Sequence, residues 1–392
     1  MRNIICLIIV CVFSISCLSQ KPKLVTKIPF KLIDDIVYIK LKVNEIEEQN
    51  FRFDTGASRG LITQSLCNKL NLKNPRKVKS KGFGGERDLD MFVGNKISLG
   101  GIEIDNVGLM NHGGDMDNIN QDGVIGYDIL SKYVVKINYD SNYLELYSYD
   151  GFAFSGKGSE VKFLFRNNTL PYTSFITKIG SQTYNTNYII DTGARGYVML
   201  TTKFATRNNI ESNIKKSLKI HSATPGMDKK AVDLTVFRIN ELTFDKHVFN
   251  GIPSNYGNIT TGGGAMTFED VDGIIGNSFL KRFNITYNYN TGRMYLEQNK
   301  YYNEEIRVDC FGAMWKLDNN RLMIAKVLDD SIAEEYGLKI NDELLQIDEI
   351  LAKNITPKLL DDILTSDNRT IKFKYKRGGK INEVIITLKA LY

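Results

Sequence analysis

Histidine and cysteine are scarce in this chain. Among 392 residues there are three histidines, His112, His221 and His247, and five cysteines, with Cys6, Cys11 and Cys17 close to the N-terminus. Only Cys67 and Cys310 lie beyond that first stretch, too few for a disulfide framework. No histidine stands beside a serine or cysteine in a nucleophile setting, which argues against Ser or Cys hydrolase chemistry. The same scarcity argues against a zinc site, and the acidic loop at Asp115-Met116-Asp117 lacks the glycine and terminal glutamate of a calcium loop. No metal or cofactor is expected. The formal net charge is only +6, spread as single lysines or pairs rather than a stripe, so neither nucleic acid nor an anionic membrane is implied.

Long apolar runs are absent after the N-terminus. Arg2 precedes an apolar run from Ile4 to Ile15, followed by small and polar residues through Ser19 and Gln20, and this reads as a secretory signal peptide over residues 1–20. Export to a bacterial periplasm, envelope or medium is the expectation. Cys17 faintly resembles a lipoprotein acylation site, although Ser14 stands where a leucine is usual, and a lipid anchor there is the one membrane attachment considered.

What the chain has is a repeat. Asp-Thr-Gly-Ala occurs at Asp54–Ala57 and again at Asp191–Ala194, each time after an apolar or aromatic run that reads as a strand. A lone Asp-Thr-Gly arises by accident in roughly a few per cent of chains this long. Here, though, each copy is followed by a second landmark, Asp122-Gly-Val-Ile-Gly126 or Asp272-Gly-Ile-Ile-Gly276, and then by an apolar helix start. Both copies close on a strand, a polar turn and a strand, Val134–Leu146 and Asn284–Leu296, which predicts two β-hairpins. Three landmarks in one order imply two homologous, mostly β lobes, over residues 21–155 and 156–300.

Two carboxylates held together share one proton, so one can deprotonate a water while the other protonates a carbonyl oxygen. Gly56 and Gly193 let backbone approach the carboxylates, and the hydroxyls of Thr55 and Thr192 can bond across the lobe interface. The pattern resembles the aspartic peptidases, and within them the retropepsin-like group. Asp54-Thr-Gly-Ala-Ser58 matches the family's active-site string, and the elements ending at Gly126 and Gly276 match its supporting strands. The resemblance implies Asp54 and Asp191 as the catalytic pair, supported by Thr55, Gly56, Ala57, Ser58, Thr192, Gly193, Ala194, Gly126 and Gly276. It also implies two acid-protease β-barrel lobes arranged as in pepsins, with both aspartates on one chain, so that a monomer is competent on polypeptide substrate. Hairpin flaps are expected at Phe83-Gly84-Gly85 and at Pro225-Gly226, and the other reading of both is an ordinary surface turn. Arg195, where a small hydroxyl residue is common, either pairs with a carboxylate and lowers the pKa of the pair or lies in solvent.

Residues 301–392 follow a different pattern. Ser331-Ile-Ala and Gly337-Leu-Lys-Ile-Asn-Asp-Glu-Leu-Leu-Gln-Ile-Asp348 resemble the PDZ domains of exported bacterial proteases, except that Asn341 replaces a glycine. The implied module is α+β and binds an extended segment or a free C-terminal peptide. Phe311, Gly312 and Met314 are its expected peptide-binding residues. Its role is either to recruit substrate or to cover the lobes. A second functional reading is a catalytically weak peptidase-like scaffold that holds peptide or glycan, with partner binding through the terminal module as its main role.

Overall fold

The computed structural model describes residues 23–82, 85–114, 116, 121–225, 231–257 and 268–392. The proposed leader, Cys17 included, lies outside them. The architecture is mainly β. A 13-stranded sheet takes strands from residues 24–162 and 283–298, an 8-stranded sheet is formed between them by residues 164–276, and a 6-stranded sheet is formed by residues 313–387, with short helices at their margins.

Each copy of the repeat builds the same local motif. In the first, strand Gln49–Phe53 leads to Asp54 and pairs in parallel with Gly123–Ile125, which is flanked on its other side by antiparallel Gly60–Ile62. In the second, Gln182–Asp191 pairs in parallel with Gly273–Gly276, flanked by antiparallel Val198–Leu200. Strand Gly123–Ile125, sandwiched between two neighbours, is buried at every residue, whereas Gln49–Phe53 alternates buried and partly exposed positions. Helices Gln64–Lys69 and Thr202–Arg207 then start on threonine N-caps, Thr63 and Thr201, whose hydroxyls accept the amides of Leu66 and Phe204.

The two copies are joined more intimately than a division at residue 155 suggests. Their closing hairpins, Val134–Asn138 with Tyr143–Tyr147 and Phe283–Asn288 with Arg293–Gln298, meet edge to edge through Ile137↔Ile285 and Val135↔Tyr287. Pairing these edges protects them and makes one sheet across both copies. The buried side chains of the two copies accordingly form one continuous apolar cluster. Behind it, Lys281 is buried between Asp35 and Glu304, while Ser278 donates to Asp35, which ties the first copy to the second.

The C-terminal module has its own core around Phe311, Ile324, Ile347, Ile363 and Phe373. Its sheet runs Ala313–Asp318, Arg321–Val327, Glu343–Ile347, Thr370–Arg377, Lys380–Thr387, with Ile350–Leu351 beside the third of these strands. Helix Ile332–Glu335 is capped by Ser331, and helix Pro357–Leu364 by Thr356. Asn341 has φ +69°, the left-handed conformation a glycine would take, and asparagine is the side chain that best tolerates it. The module rests on the second copy through Leu218, which joins its core, and through Arg238, whose Nε donates to the Tyr392 backbone oxygen at 2.9 Å. No described helix is long and apolar enough to cross a membrane.

Candidate functional site

Asp54 and Asp191 meet where the two parallel-strand motifs face each other, and their loops are interlocked. The Thr55 amide donates to Thr192 Oγ1 at 3.0 Å and the Thr192 amide to Thr55 Oγ1 at 3.0 Å. Each hydroxyl in turn donates onward across the interface, Thr55 to the Ile190 carbonyl at 2.7 Å and Thr192 to the Phe53 carbonyl at 3.3 Å. Both threonines are almost fully buried. Left without these partners, the buried amides would each cost about 1–3 kcal/mol.

Gly56 and Gly193 have a reciprocal steric reason to be glycine. A Cβ on Gly56 would lie 2.3 Å from Asp191 Cγ, and one on Gly193 would lie 2.1 Å from Asp54 Cγ. Each amide also holds the carboxylate of its own loop, Gly56 to Asp54 Oδ1 at 2.8 Å and Gly193 to Asp191 Oδ1 at 2.9 Å. The supporting glycines lie behind: a Cβ on Gly126 would strike the Ala57 carbonyl at 2.4 Å, and one on Gly276 would meet the Gly196 and Ala194 carbonyls at 2.5 and 2.9 Å. Ala57 and Ala194 also accept the amides that open the two short helices, Tyr127 and Asn277. Ser58 turns away to bond Thr169 at 2.7 Å.

The electrostatics follow from this packing. Burial first, and then the charge and hydrogen bond of Asp54, push the Asp191 carboxyl well above the usual carboxylate range, while Arg52 acts in the opposite direction. Such a pair titrates as a unit with one shared proton. Tyr287 and Tyr289 are close enough to feel the charges of Asp191 and Asp54, and their hydroxyls are held neutral mainly by burial. Asp128, just past Gly126, accepts the Gly60 amide at 3.3 Å; burial pushes its carboxyl up to about 6 against the pull of that amide and of Arg59.

Other sequence expectations are distributed differently. Arg195 is exposed, and a cation stands beside the pair at Arg52, with Nε 3.8 Å from Asp54 Oδ2. The signal for Arg52 was in the sequence: a single charge in the apolar run Phe51-Arg52-Phe53, two residues before Asp54 and therefore on its face of the strand. Both expected flaps are long hairpins, Arg76–Gly82 with Gly85–Leu99 and Ser217–Pro225 with Ala231–Phe244, paired out to Gly82↔Gly85 and Pro225↔Ala231. The tip residues Phe83, Gly84 and Gly226 lie outside the described residues.

In the terminal module Phe311 is sealed in the core, stacked on Trp315, whereas Met314 is exposed at the first strand of the sheet. The amides of Phe311 and Gly312, two of the expected peptide-binding residues, both donate to Asp309 Oδ1, at 2.8 and 2.9 Å, so they already hold a carboxylate of the chain itself. Cys67 and Cys310 are buried free thiols, and burial pushes both up to about 11. Among the described residues no group of three or more His, Cys, Asp or Glu could hold a metal ion.

Residues 39–129, which include Asp54 and Gly126, match the family model described as aspartyl protease. No curated protein matches the chain in sequence. Among solved structures, the aspartic proteinase from Irpex lacteus aligns with a TM-score of 0.46 and 14% identity, over 71% of this chain and 99% of that one.

Proposed function

We propose that this chain is an aspartic endopeptidase in which Asp54 and Asp191 together activate a water for attack on a peptide carbonyl. The observation that carries the reading is the reciprocal lock: each loop's glycine packs on the other loop's carboxylate, and each threonine bonds the other's amide. With one proton on the pair, the ionised carboxylate takes a proton from water. The protonated one then donates to the carbonyl oxygen as it gains charge. Both carboxylates belong to one chain, so a monomer suffices for polypeptide substrate.

Cleavage of a denatured protein library, read by mass spectrometry, tests the reading. Peptide products that vanish in both Asp54→Asn and Asp191→Asn are expected, and equal cleavage by wild type and either variant would sink it.

The proposal extends to the rest of the chain. Export to a bacterial envelope or medium is supported by Arg2 and the apolar run Ile4–Ile15. Mass spectrometry of the mature N-terminus, expected near Gln20, distinguishes simple cleavage from acylation at Cys17. The terminal module is proposed to be PDZ-like and to bring polypeptide to the lobes. Its sheet ends on strand Ala313–Asp318, which pairs with Arg321–Val327 on one side and has no strand neighbour on the other among the described residues, the edge to which an extended segment would add.

A further inference from the structure

We propose that Arg52 is a positioning residue that sets the pH range over which the Asp54/Asp191 pair holds its single working proton. The proposal rests on the reading of that pair as the catalytic centre. It starts from an asymmetry in an otherwise duplicated site. Two residues before Asp191 stands Ile189, 1% exposed and packed with Leu170 and Val271; two residues before Asp54 stands Arg52. An apolar side chain therefore satisfies the strand at this position in one copy, and architecture alone does not call for a cation in the other.

The surroundings of Arg52 direct its charge at the pair. Its partners in the adjacent strands are Tyr38 and Val124, neither of which carries charge to meet it. Its Nε is buried, lacks a hydrogen-bond partner among the described residues, and lies 3.8 Å from Asp54 Oδ2. The contact is thus a charge at short range rather than a fixed bidentate fork. Guanidinium stays protonated throughout the working range of any enzyme, so Arg52 is a constant field.

The other groups facing the pair do not supply that field. Tyr38 lies beside Arg52 with its hydroxyl buried, and Tyr287 and Tyr289 are buried near the carboxyls, their hydroxyls held neutral mainly by burial. Asp128 accepts the Gly60 amide, with Arg59 nearby. A constant cation favours the ionised form of each carboxyl, which lowers both apparent pKa values of the pair. The singly protonated state spans the interval between those two values, so Arg52 moves the whole interval toward acid.

The test is the pH dependence of kcat for wild type, Arg52→Met, Arg52→Gln and Arg52→Lys. Both limbs of the profile should move to higher pH by about one unit in the neutral variants. Arg52→Lys should restore the wild-type limbs, since the contact requires charge and not a planar fork. In parallel, ¹³C NMR of the aspartate carboxyls, assigned with Asp54→Asn and Asp191→Asn, follows the titration of the pair directly and requires no turnover. A chain without peptidase activity would contradict the proposed function, while the NMR titration would still decide the role of Arg52. Titration unchanged in both neutral variants, or a shift that Arg52→Lys shares, overturns the proposal.

Discussion

Asp128 shows how a buried carboxyl can report on the fold without touching the Asp54/Asp191 pair. Its pKa is pushed up to about 6, against about 3.9 for an unfolded aspartate, so the native state binds the extra proton between those values. Stability contributed by this residue is therefore fully present below the lower value and falls as pH rises through the higher one. Replacing Asp128 with Asn keeps an acceptor for the Gly60 amide and removes the ionisation. Asp128→Asn should then match wild type near pH 4 and exceed it by about 1–3 kcal/mol at pH 7.5, as measured by urea unfolding at both pH values. At this scale the sequence was legible where a residue type has one common reason to be there, as with the two aspartates. It was opaque where the reason is tertiary: that Gly56 serves Asp191 and Gly193 serves Asp54 could not be read from either loop alone.

Elements carry the next level of the account, and here the crossed threonines matter most. Thr55→Ala strips the acceptor from the Thr192 amide and the donor from the Ile190 carbonyl, both buried. A loss of about 1–3 kcal/mol in urea unfolding is expected, with most of it recovered by Thr55→Ser. The strands and short helices of both copies follow the apolar runs, caps and turns of the sequence, because each is set by local chemistry. The terminal module does too, from the Ser331 cap to the helix at Pro357–Leu364. What local chemistry could not reveal was the edge pairing of Val134–Asn138 with Phe283–Asn288, far apart in the chain. Nor could it show that Asp309 fills the amides of Phe311 and Gly312, since a carboxylate beside such a loop reads equally well as a solvated side chain.

The whole molecule behaves as a duplicated unit closed on itself, with a third module resting on one side. Because both copies share one sheet and one core, they should not unfold separately. Ile285, fully buried in the joint between the closing hairpins, is the place to look. Ile285→Ala should cost about 2–5 kcal/mol and lower hydrogen-exchange protection in both copies together, including strand Gln49–Phe53. Protection lost only in residues 156–300 would show that the copies are independent. The central claim, that one catalyst is assembled from two loops of a single chain, is tested most directly by the cleavage rate of one denatured protein. The rate is measured for wild type, Asp54→Asn, Asp191→Asn and an equimolar mixture of the two variants. Each variant should fall at least about a thousandfold and the mixture should stay there, because neither chain carries both carboxylates. A wild-type rate in either single variant would contradict the account.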